Sequence, residues 1–175
     1  MSQPADQKKF HLGFLWVVQT DLGYVGGLLV TNQLGRPLEF QCTTPIRPNK
    51  TQEILYGPTL EPFVYSELIG KTLFERLKVQ PELVIISQDE LIDLRMAIPV
   101  PVGCLVSKND PQQDLPDQTR IQLGMQQLRF HRDYAGDQDL LEQKCARISS
   151  DADLAEPLER VKDALLETVK SNAVA

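Results

Sequence analysis

Three cysteines, two histidines and a scatter of carboxylates are the residues of this 175-residue chain that could do chemistry. Cys42, Cys104 and Cys145 with His131 would make a zinc set by type. No CxxC or HxxxH pair brings two of them together locally, as structural zinc sites require. Cys42 and Cys104 fall in apolar, strand-like segments, where a free thiol behaves as a small hydrophobe. A cysteine nucleophile paired with His131 rests on no more specific spacing. Asp21, Glu67 and Asp89 are the carboxylates best placed by neighbouring elements to meet, and two-metal hydrolysis would be their chemistry. Gly23-Tyr24-Val25-Gly26-Gly27 is the one glycine cluster. It opens a strand and lacks the Gly-Lys-Ser/Thr ending of a phosphate loop, so close strand packing is expected there. Arg129-Phe130-His131-Arg132 is a small basic cluster with an aromatic, read as a solvated strand end. No catalytic, cofactor-binding or metal-binding residue is assigned from the sequence.

The elements that must carry these residues are legible in part. Phe10 to Thr20 is almost continuously apolar from Phe14 to Val18, as in a central strand covered on both faces. Tyr24 to Thr31 and Pro37 to Thr43 follow after turns at Asp21-Leu22-Gly23 and Asn32-Gln33-Leu34-Gly35. These three strands predict an antiparallel meander. Thr44 to Pro48 then breaks the sheet with two prolines.

Lys50 to Lys78 reads as helical, interrupted at Gly57-Pro58. Its longer part carries an apolar stripe through Leu60, Phe63, Val64, Leu68, Leu73, Phe74 and Leu77. Leu83 to Ser87 is a short buried strand. Asp89 to Met96 is a helix for which Ser87 is the expected cap. A further strand is expected at Gly103 to Val106, a surface loop at Lys108 to Gln118, and a hairpin from Thr119 to His131. A short helix is placed near Leu140 to Ile148. The last helix is the clearest element: Leu154, Leu158, Val161, Leu165 and Val169 form its stripe, with Asp153 and Glu156 as a capping box. Trp16, Tyr56, Phe63 and Tyr65 are expected in the core. The proline-bracketed segments Thr44 to Pro48 and Ile98 to Val102 are expected to offer backbone to a partner strand.

The fold class is therefore α+β: a mixed sheet opened by a three-stranded antiparallel meander, with packed helices. Residues 10–170 form one domain between a disordered tail at 1–9 and a frayed end at 171–175. The order of elements resembles that of the ribonuclease-H-like architecture, and alternatively a profilin-like or longin-like sheet. Nucleases of the first kind need carboxylates converging on two Mg²⁺ ions, one from the middle of the first strand. The first strand here reads Gly13-Phe14-Leu15-Trp16-Val17-Val18-Gln19, with no acid.

Composition is that of a globular protein: 42% hydrophobic and 24% charged residues, with a net charge of −6. Asp133 to Glu159 holds eight acids and two bases, which accounts for the whole of that charge. Such a stretch repels phosphate backbones and is expected to be a solvated face. With an odd number of scattered cysteines, no signal core and no apolar run of spanning length, a cytoplasmic location is expected. No cofactor is implied. The function expected on these grounds is that of a non-enzymatic accessory protein acting through protein–protein contacts or self-association, with neither membrane nor nucleic acid as partner. A ribonuclease-H-like nucleic-acid-processing domain, intact or degenerate, and a small-ligand sensor are the alternatives.

Overall fold

The computed structural model describes residues 10–107 and 120–174. The expected N-terminal tail and the expected loop at 108–118 lie outside the described residues.

Seven strands form one mixed sheet in the order β3-β2-β1-β4-β5-β7-β6. The predicted meander is present as β1 (Leu12–Thr20), β2 (Gly23–Thr31) and β3 (Pro37–Cys42), paired antiparallel. The strands β4 (Leu83–Ile86) and β5 (Val102–Leu105) continue the sheet on the other side of β1, parallel to it. A hairpin of β6 (Arg120–Leu123) and β7 (Gln126–Phe130) closes that edge, with β7 antiparallel to β5.

Both parallel crossovers cover one face. The first runs through α1 (Lys50–Tyr56), a 3₁₀ turn (Gly57–Thr59), α2 (Leu60–Phe63), a π-helix (Val64–Lys71) and α3 (Thr72–Arg76). The second is a 3₁₀ helix, Asp89–Met96. They enclose Leu15, Val17, Leu28, Val30, Val84, Ile86 and Val102. The opposite face, with Phe14, Leu29, Leu83, Ile85 and Leu128, is covered by α4 (Gly136–Lys144) and α5 (Glu156–Val174). Burial on both faces is why β1 and β4 lack polar alternation.

The sequence stripe on the first crossover is displaced by the π-helix. Val64, Ile69 and Phe74 are buried at spacings of five, wider than the three and four of an α-helical stripe, and Leu68 is only half-buried. Glycine lets this helix lie close to the sheet and to the 3₁₀ helix. A Cβ on Gly26 would stand 2.0 Å from Ile69 Cγ2, and one on Gly70 2.9 Å from Leu94 Cδ1. Close packing at the glycine cluster is thus as expected. On the far face Leu154, Leu158, Val161 and Leu165 are buried as predicted, and Asp153 Oδ1 accepts from the backbone N–H of Ala155 at 3.0 Å.

Four expectations are corrected. Ser87 does not cap the 3₁₀ helix; Gln88 occupies the cap position and its side chain is turned elsewhere. The proline-bracketed segments spend their backbone within the chain: Ile46 exchanges both hydrogen bonds with Tyr24 at 2.8 Å, and Pro101 O accepts from Val84 N at 3.0 Å. Arg129 and Phe130 are buried rather than solvated. Tyr56 is exposed, stacked on Phe63 with ring centroids 4.5 Å apart.

Candidate functional site at the carboxyl ends of the central strands

β1 and β4 are the place where strand order reverses: the chain leads from β1 outward to β2 and β3, and from β4 the other way to β5. Open sheets with parallel strands bind ligands in the crevice at the carboxyl ends of such a pair. Here the pairing runs from Leu12↔Leu83 to Phe14↔Ile85, after which β1 continues to Thr20 and β4 stops at Ile86. The crevice between them is closed by Gln88. Its Oε1 accepts from Val17 N and its Nε2 donates to Val17 O, both at 2.9 Å. The side-chain amide continues the β1 ladder where β4 has ended, so two backbone groups that would otherwise be left open are satisfied.

Asp89 comes next in the chain and forms an ion pair with the Arg129 guanidinium on β7. Arg129 also donates to Cys104 Sγ at 3.5 Å. The Asp89 carboxylate is largely in water, whereas Arg129 is buried and burial lowers its pKa. This carboxylate is therefore engaged in stabilising a buried cation.

Tyr24 from β2 and Tyr65 from the π-helix meet edge to face behind the crevice, centroids 5.7 Å apart. Burial, then the neighbouring Glu61 and Glu90, pushes the Tyr65 phenol up to about 12. Tyr24 is raised by burial and by Glu61, to which its hydroxyl donates. Both phenols stay protonated at neutral pH and keep a proton to donate. Ser66 Oγ donates to Glu90 O at 3.1 Å, tying the π-helix to the 3₁₀ helix.

A second polar group links that 3₁₀ helix to the segment after β7. Arg95 donates to both oxygens of Asp137, at 2.7 and 3.2 Å, and to Ile98 O at 3.0 Å. Its guanidinium lies 4.0 Å over the Tyr134 ring. His131 Nδ1 accepts from Asp133 N at 3.1 Å, and Nε2 faces Asp93 Oδ1 at 3.3 Å. That network assigns the proton of neutral His131 to Nε2. Asp137, read from the sequence as part of a solvated acidic face, is buried with Arg95 as its partner.

The described residues around this crevice do not fit a two-metal centre. β1 presents Trp16, Val17 and Val18 where a carboxylate is needed, and the crevice holds an amide whose oxygen is committed to Val17. Asp21 lies exposed in the β1–β2 turn, Glu67 lies on the outer side of the π-helix, and Asp89 is held by Arg129. Among the described residues no three of His, Cys, Asp or Glu are placed to hold a metal ion. The zinc set is likewise dispersed: Cys104 faces the first crossover, and Cys42 and Cys145 the opposite side of the sheet. Sequence reasoning missed Gln88, Tyr24 and the Arg95–Asp137 pair, because none of them carries a local spacing signal.

No protein-family model matches the sequence, and no curated protein is similar to it in sequence. Solved structures are similar in fold. Endonuclease V from Streptomyces avermitilis superposes with a TM-score of 0.52 at 12% identity, over 94% of this chain and 83% of that one. Endonuclease V from Bacillus subtilis gives a TM-score of 0.50 at 12% identity over the same shares. The Ciona intestinalis endonuclease V, solved with a 23-mer DNA containing an inosine, gives 0.49 at 10% identity, over 94% and 87%. The shared fold of the two bacterial nucleases overturns the expectation of a non-enzymatic accessory protein built for protein–protein contacts. It overturns equally the exclusion of nucleic acid as a partner. Among the described residues no helix is long and apolar enough to cross a membrane.

Proposed function

We propose that the chain is a nucleic-acid-processing domain on a ribonuclease-H-like sheet whose two-metal hydrolytic centre is degenerate, so that it engages nucleic acid without cutting it by that route. The observation that carries this reading is the Gln88 amide locked onto Val17, in a crevice whose first strand has no acid. A neutral amide cannot supply the charge that holds a pair of divalent cations.

The chemistry of the surface favours unpaired bases over duplex phosphates. Glu61 and Glu90, beside Tyr24 and Tyr65, make that side of the crevice acidic, which repels a phosphate backbone. Beside them Tyr56, stacked on Phe63, is partly open to solvent, and Ile54 and Leu55 are exposed. An aromatic face takes a base whatever its sequence. A cytoplasmic setting is part of the proposal and accords with three free cysteines.

The test is fluorescence anisotropy with labelled single-stranded and duplex DNA and RNA in EDTA, beside a cleavage assay in Mg²⁺ and in Mn²⁺. Binding that prefers single strands, weakens in Tyr56→Ala, and is accompanied by no metal-dependent cleavage is the expected result. No binding at about 100 µM protein, the weak limit of non-specific association, would remove the nucleic-acid reading. Metal-dependent cleavage would remove the degenerate centre.

A further inference from the structure

Between α2, the start of the π-helix and the end of the 3₁₀ helix lies a groove of about 360 Å³, within the size range of small-ligand sites. Its apolar lining comes from Pro58, Pro62, Phe63 and Met96. Met96 is 57% exposed at its mouth, an apolar side chain left open to water. Both charged side chains that line it are acids, Glu67 and Asp93. Glu67 is exposed and pairs with no cation among the described residues, whereas Asp93 Oδ1 faces His131 Nε2 at 3.3 Å.

These features select a ligand class. Two carboxylates exclude an anion by repulsion. No third His, Cys, Asp or Glu joins them to hold a metal ion among the described residues. An aliphatic chain carrying ammonium groups satisfies both halves of the lining. Its methylenes cover proline, phenylalanine and methionine surface, and its ammonium groups make charge-assisted hydrogen bonds to the carboxylates. The Phe63 face adds attraction for a nearby ammonium.

We propose that this groove binds an aliphatic diamine or polyamine, with ammonium groups on Glu67 and Asp93 and the methylene chain along Phe63, Pro62 and Met96. The site does not depend on the nucleic-acid reading, and its test contains no nucleic acid.

Two-dimensional NMR of the full chain is titrated with putrescine, spermidine and, separately, Mg²⁺. Saturable shifts at Phe63, Met96 and Ala97 are expected with the amines, with affinity about tenfold lower in Glu67→Gln, as loss of one charge-assisted contact implies. Glu159→Gln, on the remote acidic stretch, should leave the titration unchanged. Absence of saturable shifts with either amine overturns the proposal. The same shifts with Mg²⁺, or equal weakening in both variants, overturns it as well, since that is counterion attraction to an acidic protein. Binding kept in Glu67→Gln but lost in Met96→Ser overturns the charge pairing.

Discussion

Gln88 and Val17, 71 residues apart, are joined by two hydrogen bonds of 2.9 Å between a side-chain amide and one residue's backbone N–H and C=O. The pairing makes a glutamine act as one residue of a missing strand. Replacing it by leucine leaves both Val17 groups without a partner in a half-buried setting. Gln88→Leu should lower unfolding free energy by about 1–3 kcal/mol in denaturant titration. Gln88→Glu should be worse at neutral pH, with a carboxylate set against Val17 O. Part of the loss should return in acid, where the carboxyl regains a proton to donate.

The Arg95–Asp137 pair predicts an asymmetry between single and double replacement. Asp137 is buried, and its partner is bidentate. Arg95→Ala strands that carboxylate and should cost about 3 kcal/mol or more. Arg95→Met combined with Asp137→Leu should cost less than Arg95→Ala alone, because no charge is left uncompensated. Thermal or chemical unfolding of the three variants measures the difference.

Tyr65 predicts a loss of stability in alkali. Its folded pKa is pushed up to about 12 from the ordinary 10.0, so between those values the folded state holds a proton that the unfolded state has lost. Stability is full below about pH 10 and falls as pH rises towards 12. Ultraviolet titration of tyrosinate in wild type and Tyr65→Phe should show one late-ionising phenol missing from the variant. The variant's alkaline slope in stability should be the shallower.

Cys145 predicts slow alkylation. Burial pushes its thiol up to about 11 from 9.0, and the thiolate is the reactive form. At pH 8 its thiolate fraction should be about a hundredfold below that of an ordinary thiol, tenfold for each unit. Peptide mapping after timed iodoacetamide treatment should find Cys145 among the last sites modified. Rapid labelling in the native state would contradict the burial that shifts it.

Gly26→Ala tests the fit of the π-helix. The added methyl would stand 2.0 Å from Ile69 Cγ2, deep in the core. Overpacking of this kind costs about 1–3 kcal/mol or more. The companion Ile69→Ala in the Gly26→Ala background removes the clashing Cγ2, so the two substitutions together should cost less than the sum of their separate costs.

Local pattern was enough for the meander, the β6–β7 hairpin and α5. In each of these, the period of apolar residues or the turn chemistry reports backbone conformation and which side faces the core. The apolar run Phe14 to Val18 likewise told that β1 is covered twice and carries no charge. The π-helix was not legible, because a spacing of five at Val64, Ile69 and Phe74 sits between the helical repeats that a stripe is read against. Arg129 and Asp137 looked like surface residues because type and neighbours say nothing about a partner brought in from another element.

By itself the sequence determined that the first strand lacks a carboxylate, that a mixed sheet starts with three antiparallel strands, and that an amphipathic helix closes the chain. Only the tertiary structure decided that Gln88 fills the end of β4, that Asp89 belongs to Arg129, and that Glu67 and Asp93 share one groove. The physical reason is range. Dihedral preference and apolar period act over a few residues, whereas these groups lie tens of residues apart and meet only after the crossovers have folded back over the sheet.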